Sequence, residues 1–336
     1  MRRDDQTSNP RSTRPVAPAA CRRALCVALT GASLAVALSL PGMAAGPDLP
    51  ADCRLERGAR KGVVRVVDAA TLLLDDRTEV RLIGALTEDM AAVPGSPARP
   101  ETDGLPPPQL PASLARRLLG DLALGRTVEL FHSGSRSDRY GRLPAQVVAI
   151  SNGERVWLQG ALVARGLARA YALADHAGCL APLIRLEAAA RAQKLGLWAN
   201  AAYAVRPAWR TGELRRYRHT FQLVEGRVQR VSHGKGQTYL NFGRDWRSDF
   251  TITIRAGVRR TLAAAGIDLT RLQGRVVRVR GWLIQRNGPL IEISQAEELE
   301  VVEDTDATFP PRRPEPDERR RKRRRPDRSD PGAGDL

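Results

Sequence analysis

Aromatic residues are scarce, with five Trp, five Tyr and five Phe making up 4% of a 336-residue chain. So few large rings leave little to spare for decorating a surface, and each one has to be accounted for in packing. Histidine and cysteine are scarcer still, at four each. His132, His176, His219 and His233 are scattered and Cys53 and Cys179 lie far apart, so no zinc-ligand spacing is available. Neither a phosphate-binding P-loop nor a serine-hydrolase elbow occurs. The long apolar run from Ala24 to Leu40 spans about 17 residues, at the short edge of what crosses a bilayer.

That run is preceded by Arg22-Arg23 and followed by Pro41-Gly42-Met43-Ala44-Ala45, the pattern of an export signal with small residues at its cleavage site. An uncleaved anchor is the alternative. Export predicts a periplasmic or secreted mature protein without an integral membrane span. Cys21 and Cys26 fall inside the signal, which leaves Cys53 and Cys179 in the mature chain. In an oxidising compartment two leftover thiols usually pair, so a Cys53–Cys179 disulfide is expected, against two separate buried thiols.

The hydrophobic content of 42% supports packed cores, and the length suffices for two domains. The formal net charge of +17 is unevenly spread, because residues 206–302 hold 18 basic against 9 acidic side chains. The conspicuous run from Arg319 to Arg325 is nearly neutralised, since residues 303–336 hold 10 basic and 9 acidic side chains. A basic domain face can hold a polyanion through counterion release.

Alternation from Gly62 to Ile83, broken by the turn Asp75-Asp76-Arg77-Thr78, predicts two antiparallel strands. The Pro/Gly-rich stretch from Val93 to Pro111 excludes regular structure. Helices are expected at Ser113–Leu124, Val156–Arg165 and Leu180–Lys194, the last two stopped by Gly166 and Gly196 as left-handed caps. Strands are expected at Thr127–His132 and Leu143–Ile150. Further strands are expected near Thr220–Val231, Thr238–Phe242 and Phe250–Ile254, then a helix near Val258–Ala265, then strands near Arg275–Ile284 and Leu290–Ile293. Five strands with one helix after the third is the order of a Greek-key barrel of the oligonucleotide-binding (OB) type. The expected fold is mainly β (α+β), with two OB-fold-like barrels in tandem and about three helices in the first. The expected division is a signal with a polar extension at 1–45, a first domain at 46–200, a linker at 201–218, a second domain at 219–302 and a disordered charged tail at 303–336.

Chemistry concentrates in three segments: Val66-Val67-Asp68-Ala69-Ala70-Thr71, Arg81-Leu82-Ile83-Gly84-Ala85-Leu86-Thr87-Glu88-Asp89 and Asp138-Arg139-Tyr140-Gly141-Arg142. Arginine suits phosphate because its planar fork binds two oxygens and never loses its charge. Together these segments resemble the active-site segments of the staphylococcal nuclease (thermonuclease) family, in order and rough spacing. Gly166-Leu167-Ala168, Glu187, Ala190, Arg191 and Gly196-Leu197-Trp198 extend the resemblance over roughly residues 60–200. It implies phosphodiester hydrolysis of DNA or RNA with calcium as cofactor. Arg81 and Arg142 match the phosphate-binding arginines, and Asp138, Arg139 and Tyr140 match a segment beside the substrate.

The departures fall on the metal. Where the family reads Asp-Gly-Asp-Thr this chain reads Asp68-Ala69-Ala70-Thr71, so one calcium aspartate is Ala70 and the other is Leu86. Neither side chain offers an oxygen, and calcium wants several. Asp68 and Thr71 remain as metal candidates. An ungapped alignment puts Asp89 at the general base, and a slip of one residue puts Glu88 there. The leading expectation is a nucleic-acid-binding protein with calcium-dependent hydrolysis impaired or lost. A rearranged metal site on Asp68, Glu88 and Asp89 in an active nuclease is an alternative, and ordinary surface charges with Asp138 and Arg142 shaping a turn are the plainest one. A different class of reading is an envelope protein-interaction module.

In the second domain, Thr238–Trp246 and Asp249–Thr251 resemble modules appended to bacterial thermonuclease-like domains. The segment interleaves Tyr239, Phe242, Trp246 and Phe250 with arginines, the ingredients of base stacking and phosphate attraction. Alternation sends some of these rings, and Trp282, into the core. Arg278 and Arg280 share one strand face, expected to be exposed or to line a groove.

Overall fold

Short turns decide how the alternating segment after Gly62 folds. The computed structural model describes residues 46–88, 110–171, 173, 176–234 and 236–303. Residues 1–45, where a signal is expected, residues 89–109, with Asp89 and most of the Pro/Gly-rich stretch, and the tail from 304 lie outside the described residues. Strand β1 (Glu56–Asp68) turns at Ala69-Ala70 into β2 (Thr71–Leu74), which turns again into β3 (Glu79–Leu82). The segment therefore makes three strands rather than two, because the pair Asp68↔Thr71 needs only two residues to close. At the second turn, Asp76 Oδ1 accepts the Thr78 amide at 3.0 Å, and Arg77 takes φ 70°.

A two-residue pair β4 (Ala85–Leu86) follows, then α1 (Leu110–Ala123), β5 (Thr127–His132) and β6 (Leu143–Ser151). The apolar run expected to be one helix from Val156 is instead β7 (Glu154–Trp157) and then α2 (Leu158–Ala164). Asn152 and Gly153, both at positive φ (50° and 82°), make the tight turn that folds β7 back onto β6 and uses Val156 and Trp157 in the sheet. Strand β8 (Arg169–Ala170) pairs with β4, and α3 (Leu180–Ala192) closes this half. Gly166 and Gly196 are both left-handed as expected, at φ 66° and 52°, although α3 ends earlier, at Ala192, and Lys194 already takes φ 54°.

Residues 201–218 contain a 3-10 turn, β9 (Arg206–Pro207) and α4 (Thr211–Arg216), and β9 runs parallel beside the next strand. The second half comprises β10 (Phe221–Arg227), β11 (Arg230–Gly234), β12 (Gln237–Asn241), β13 (Thr251–Arg255), α5 (Ala256–Ala264), β14 (Val276–Arg286), β15 (Gly288–Ile293) and β16 (Leu299–Val302). The protein is thus mainly β with several helices.

The two sheets repeat one pairing scheme. In the first, β1 pairs antiparallel with β2 and β5, β2 with β3 and β5 with β6, and a parallel β3–β6 pair returns the circuit to its start. In the second, β10 and β11, separated by two residues, play the part of β1. They pair with β14 and β12; β12 pairs with β13, β14 with β15, and β13 runs parallel to β15. A helix follows the third strand of the circuit in both. Each sheet wraps its own core, around Leu72, Leu82, Val147 and Trp157 in the first and Phe250, Ile252, Val277 and Leu283 in the second.

The described residues form one compact unit, and a third apolar cluster joins the sheets: Leu86, Tyr171, Ala190, Leu197, Trp198 and Tyr203 meet Phe221 and Leu223, with Trp282 packed alongside. Beneath it runs an ion network. Arg280 of β14 binds Glu187 of α3 and, at 2.6 Å, Glu300 of β16, while Arg278 binds Glu225 at 2.7 Å and Glu300 at 3.2 Å. The expected open face of Arg278 and Arg280 is therefore not present: both are buried, at 8% and 1% exposure. Alternation placed them on one face correctly, but α3 and three glutamates cover it. Cys53 and Cys179 form the expected disulfide, with their Cα atoms 4.8 Å apart.

Candidate functional site

The parallel β3–β6 pair brings the two arginine segments together. Arg81 lies opposite Pro144, two residues past Arg142. Arg81 donates through Nη1 to Thr71 Oγ1 at 3.0 Å, and the same atom lies 3.6 Å from Asp68 Oδ1. Asp68 also accepts the Ala70 amide at 2.7 Å, so its carboxylate is shared between the turn and the arginine.

Arg142 is presented by a loop that Asp138 organises. Asp138 Oδ1 accepts the amides of Tyr140 (2.8 Å) and Arg142 (3.0 Å), and Oδ2 accepts from the Arg142 guanidinium at 2.7–2.8 Å. Gly141 occupies the left-handed position the turn demands, at φ 77°. Burial pushes the Asp138 carboxyl upward, but the bonds from Arg142 and the two amides outweigh it and hold the group below the usual carboxylate range. Tyr140 is 63% exposed, with the guanidinium groups of Arg139 and Arg142 at 4.8 and 5.0 Å from its ring centre.

The two arginines feel each other. Burial lowers the Arg81 pKa first, and the positive charge of Arg142 lowers it further, against the opposing pull of Asp68, Tyr171 and Asp138. Tyr171, which the sequence reading did not single out, faces the pair: burial raises its phenol, while Arg81 and Arg142 draw it back. Its signal in the sequence was only its rarity as a ring just after Gly166-Leu167-Ala168.

The residues at the expected metal positions do not fit calcium. Ala70 and Leu86 are buried at 0% and 2% exposure. Gly84, at φ 89° with Leu183 and Gln146 too close to admit a Cβ, steers the chain into β4, where Leu86 pairs with Arg169 and joins the cluster between the sheets. Asp68 and Thr71 are both engaged by Arg81. Glu88 accepts a hydrogen bond from the Tyr203 hydroxyl at 2.8 Å, a partner that the sequence reading missed. No group of three or more His, Cys, Asp or Glu side chains placed to hold a metal occurs among the described residues. Asp89 lies outside them.

Residues 100–200 match the family model described as staphylococcal nuclease homologue. The match covers α1 through α3, including the loop of Asp138 and Arg142; Asp68 and Arg81 precede it. No curated protein matches the chain. Among the described residues, no helix is long and apolar enough to cross a membrane.

Proposed function

We propose that this chain, which carries a staphylococcal nuclease homologue domain, is an exported protein that holds the phosphate backbone of nucleic acid between Arg81 and Arg142 without the family's calcium-dependent hydrolysis. In this reading residues 46–200 and 219–302 are two OB-like barrels joined by 201–218. Residues 1–45 are a removed export signal, a view that the Cys53–Cys179 disulfide supports because such bonds persist outside the cytosol.

The observation that carries the proposal is the contrast at one site. The arginine pair persists, Arg81 on β3 and Arg142 on the loop that enters its neighbour β6, each guanidinium oriented by one carboxylate, while both positions that would bear calcium aspartates are buried alkyl groups in packed cores. The two guanidinium groups are balanced by one carboxylate each, and the exposed Arg139 beside them leaves the cluster with a positive charge. A phosphodiester needs such a fork, and binding alone needs nothing more. Hydrolysis would additionally require an activated water, and Glu88, a candidate base, is engaged by Tyr203.

Fluorescence anisotropy with a labelled single-stranded oligonucleotide tests this. Affinity is expected to be the same in calcium and in chelator, to fall steeply with salt, and to drop at least about tenfold in Arg81→Ala/Arg142→Ala. Salt-insensitive capture of a protein partner, with no oligonucleotide affinity, would replace this reading with that of an envelope interaction module.

A further inference from the structure

The loop between β12 and β13 displays a tryptophan to solvent in a chain that uses its other rings sparingly. Trp246 is 52% exposed, more than Trp209 at 37%, whereas Trp157 and Trp198 are buried and Trp282 packs between the sheets. The loop holding it is pinned. Asp245 accepts from the Arg247 amide (3.1 Å) and from Ser248 Oγ (2.9 Å), and Asp249 Oδ2 accepts the Asp245 amide at 2.8 Å. From outside the loop, Arg215 of α4 reaches the Ser248 carbonyl at 3.4 Å. Both loop carboxylates thus serve the turn itself. Arg247 lies over the Trp246 ring at 4.7 Å, and Arg244 is exposed beside it.

An exposed indole costs apolar hydration, and its surroundings are charged rather than an apolar groove, with Arg244, Arg247 and Arg215 set against Asp245 and Asp249. An unpaired base offers a flat face to the ring and a phosphate to each neighbouring arginine. We propose that Trp246 is a stacking platform for an unpaired base of single-stranded nucleic acid, with Arg244 and Arg247 drawing the flanking phosphates. This adds a second contact on the β12–β13 loop and rests on the reading that the chain binds nucleic acid. Base pairing removes the stacking face, so the contact selects single strands over duplex.

The test is anisotropy of labelled oligothymidylate and of a labelled duplex, in chelator, against the mature-length chain and four variants: Trp246→Ala, Trp246→Phe, Arg247→Ala and Arg81→Ala/Arg142→Ala. The expected result is about a tenfold weaker single-strand affinity for Trp246→Ala, most of it retained in Trp246→Phe, with no change on duplex. Arg247→Ala is expected to lower the salt slope. Unchanged single-strand affinity in Trp246→Ala, or an equal loss on duplex, overturns the stacking platform. If Arg81→Ala/Arg142→Ala weakens binding while Trp246→Ala does not, the platform falls and the phosphate pair stands. If Trp246→Ala alone weakens it, the platform stands and the phosphate pair falls.

Discussion

In the first sheet, the strand arginine Arg81 keeps 12% of its side chain exposed and has one carboxylate, Asp68, at 3.6 Å; in the second, Arg280 is 1% exposed and locked between Glu187 and Glu300. The two residues sit in sheets with the same pairing scheme, and their chemistry is the same. What differs is the number of carboxylates that surround them. Arg278 and Arg280 share Glu187, Glu225 and Glu300, so two guanidinium groups face three carboxylates and are held by them inside the fold. Arg81 and Arg142 are balanced by one acid each, and the exposed Arg139 nearby tips the first site positive. Arginine content alone therefore does not locate a binding surface. The excess of basic residues in 206–302 overstates the free charge there.

Breaking the buried side should give the largest effect. Arg280→Ala leaves Glu187 buried without its counter-charge and is expected to cost about 3–5 kcal/mol in denaturant unfolding. The same experiment on Arg81→Ala is expected to cost under about 1 kcal/mol, since its carboxylate partner is partly solvated. Similar losses at the two positions would erase the distinction between a structural and a binding arginine.

Next in size is Leu86→Asp, which restores a carboxylate at a position where the resemblance implies calcium. Because Leu86 is packed in the cluster between the sheets, the variant is expected to lose about 3 kcal/mol of stability. Calorimetric titration is expected to show no gain in calcium affinity, because Ala70 still offers no oxygen.

The smallest effect concerns the Asp138 clamp. Its folded carboxyl lies below the ordinary value of 3.8, so its contribution is present above that value and is lost as pH falls through the lower folded value. Asp138→Asn is expected to cost about 1 kcal/mol at neutral pH, a difference that vanishes in strong acid. A difference that grew on acidification would contradict the assigned sign.

Much of this was legible in the sequence, because it was local. Alternation located most strands of both sheets, and Thr127–His132 matches its strand end for end. Cysteine usage predicted the disulfide. The misses follow from what local pattern cannot carry. Val156-Trp157-Leu158 fits the end of a strand as well as the start of a helix, and the Asn152-Gly153 turn decided between them. Alternation put Arg278 and Arg280 on one face, but what covers that face comes from Glu187, 93 residues away from Arg280. Tyr203 reaching Glu88 spans 115 residues and left no trace in spacing. In the site, the arginine segments and the missing carboxylates were readable, while the burial of Leu86 against the second sheet was not.

The central claim, an arginine pair that binds phosphate where calcium chemistry has been lost, is tested most directly by incubating the purified mature chain with single-stranded DNA in calcium and, separately, in other divalent ions, and resolving the products. The account predicts oligonucleotide that is bound but intact in calcium, at the same affinity as in chelator. Calcium-dependent cleavage that Arg142→Ala abolishes would contradict it.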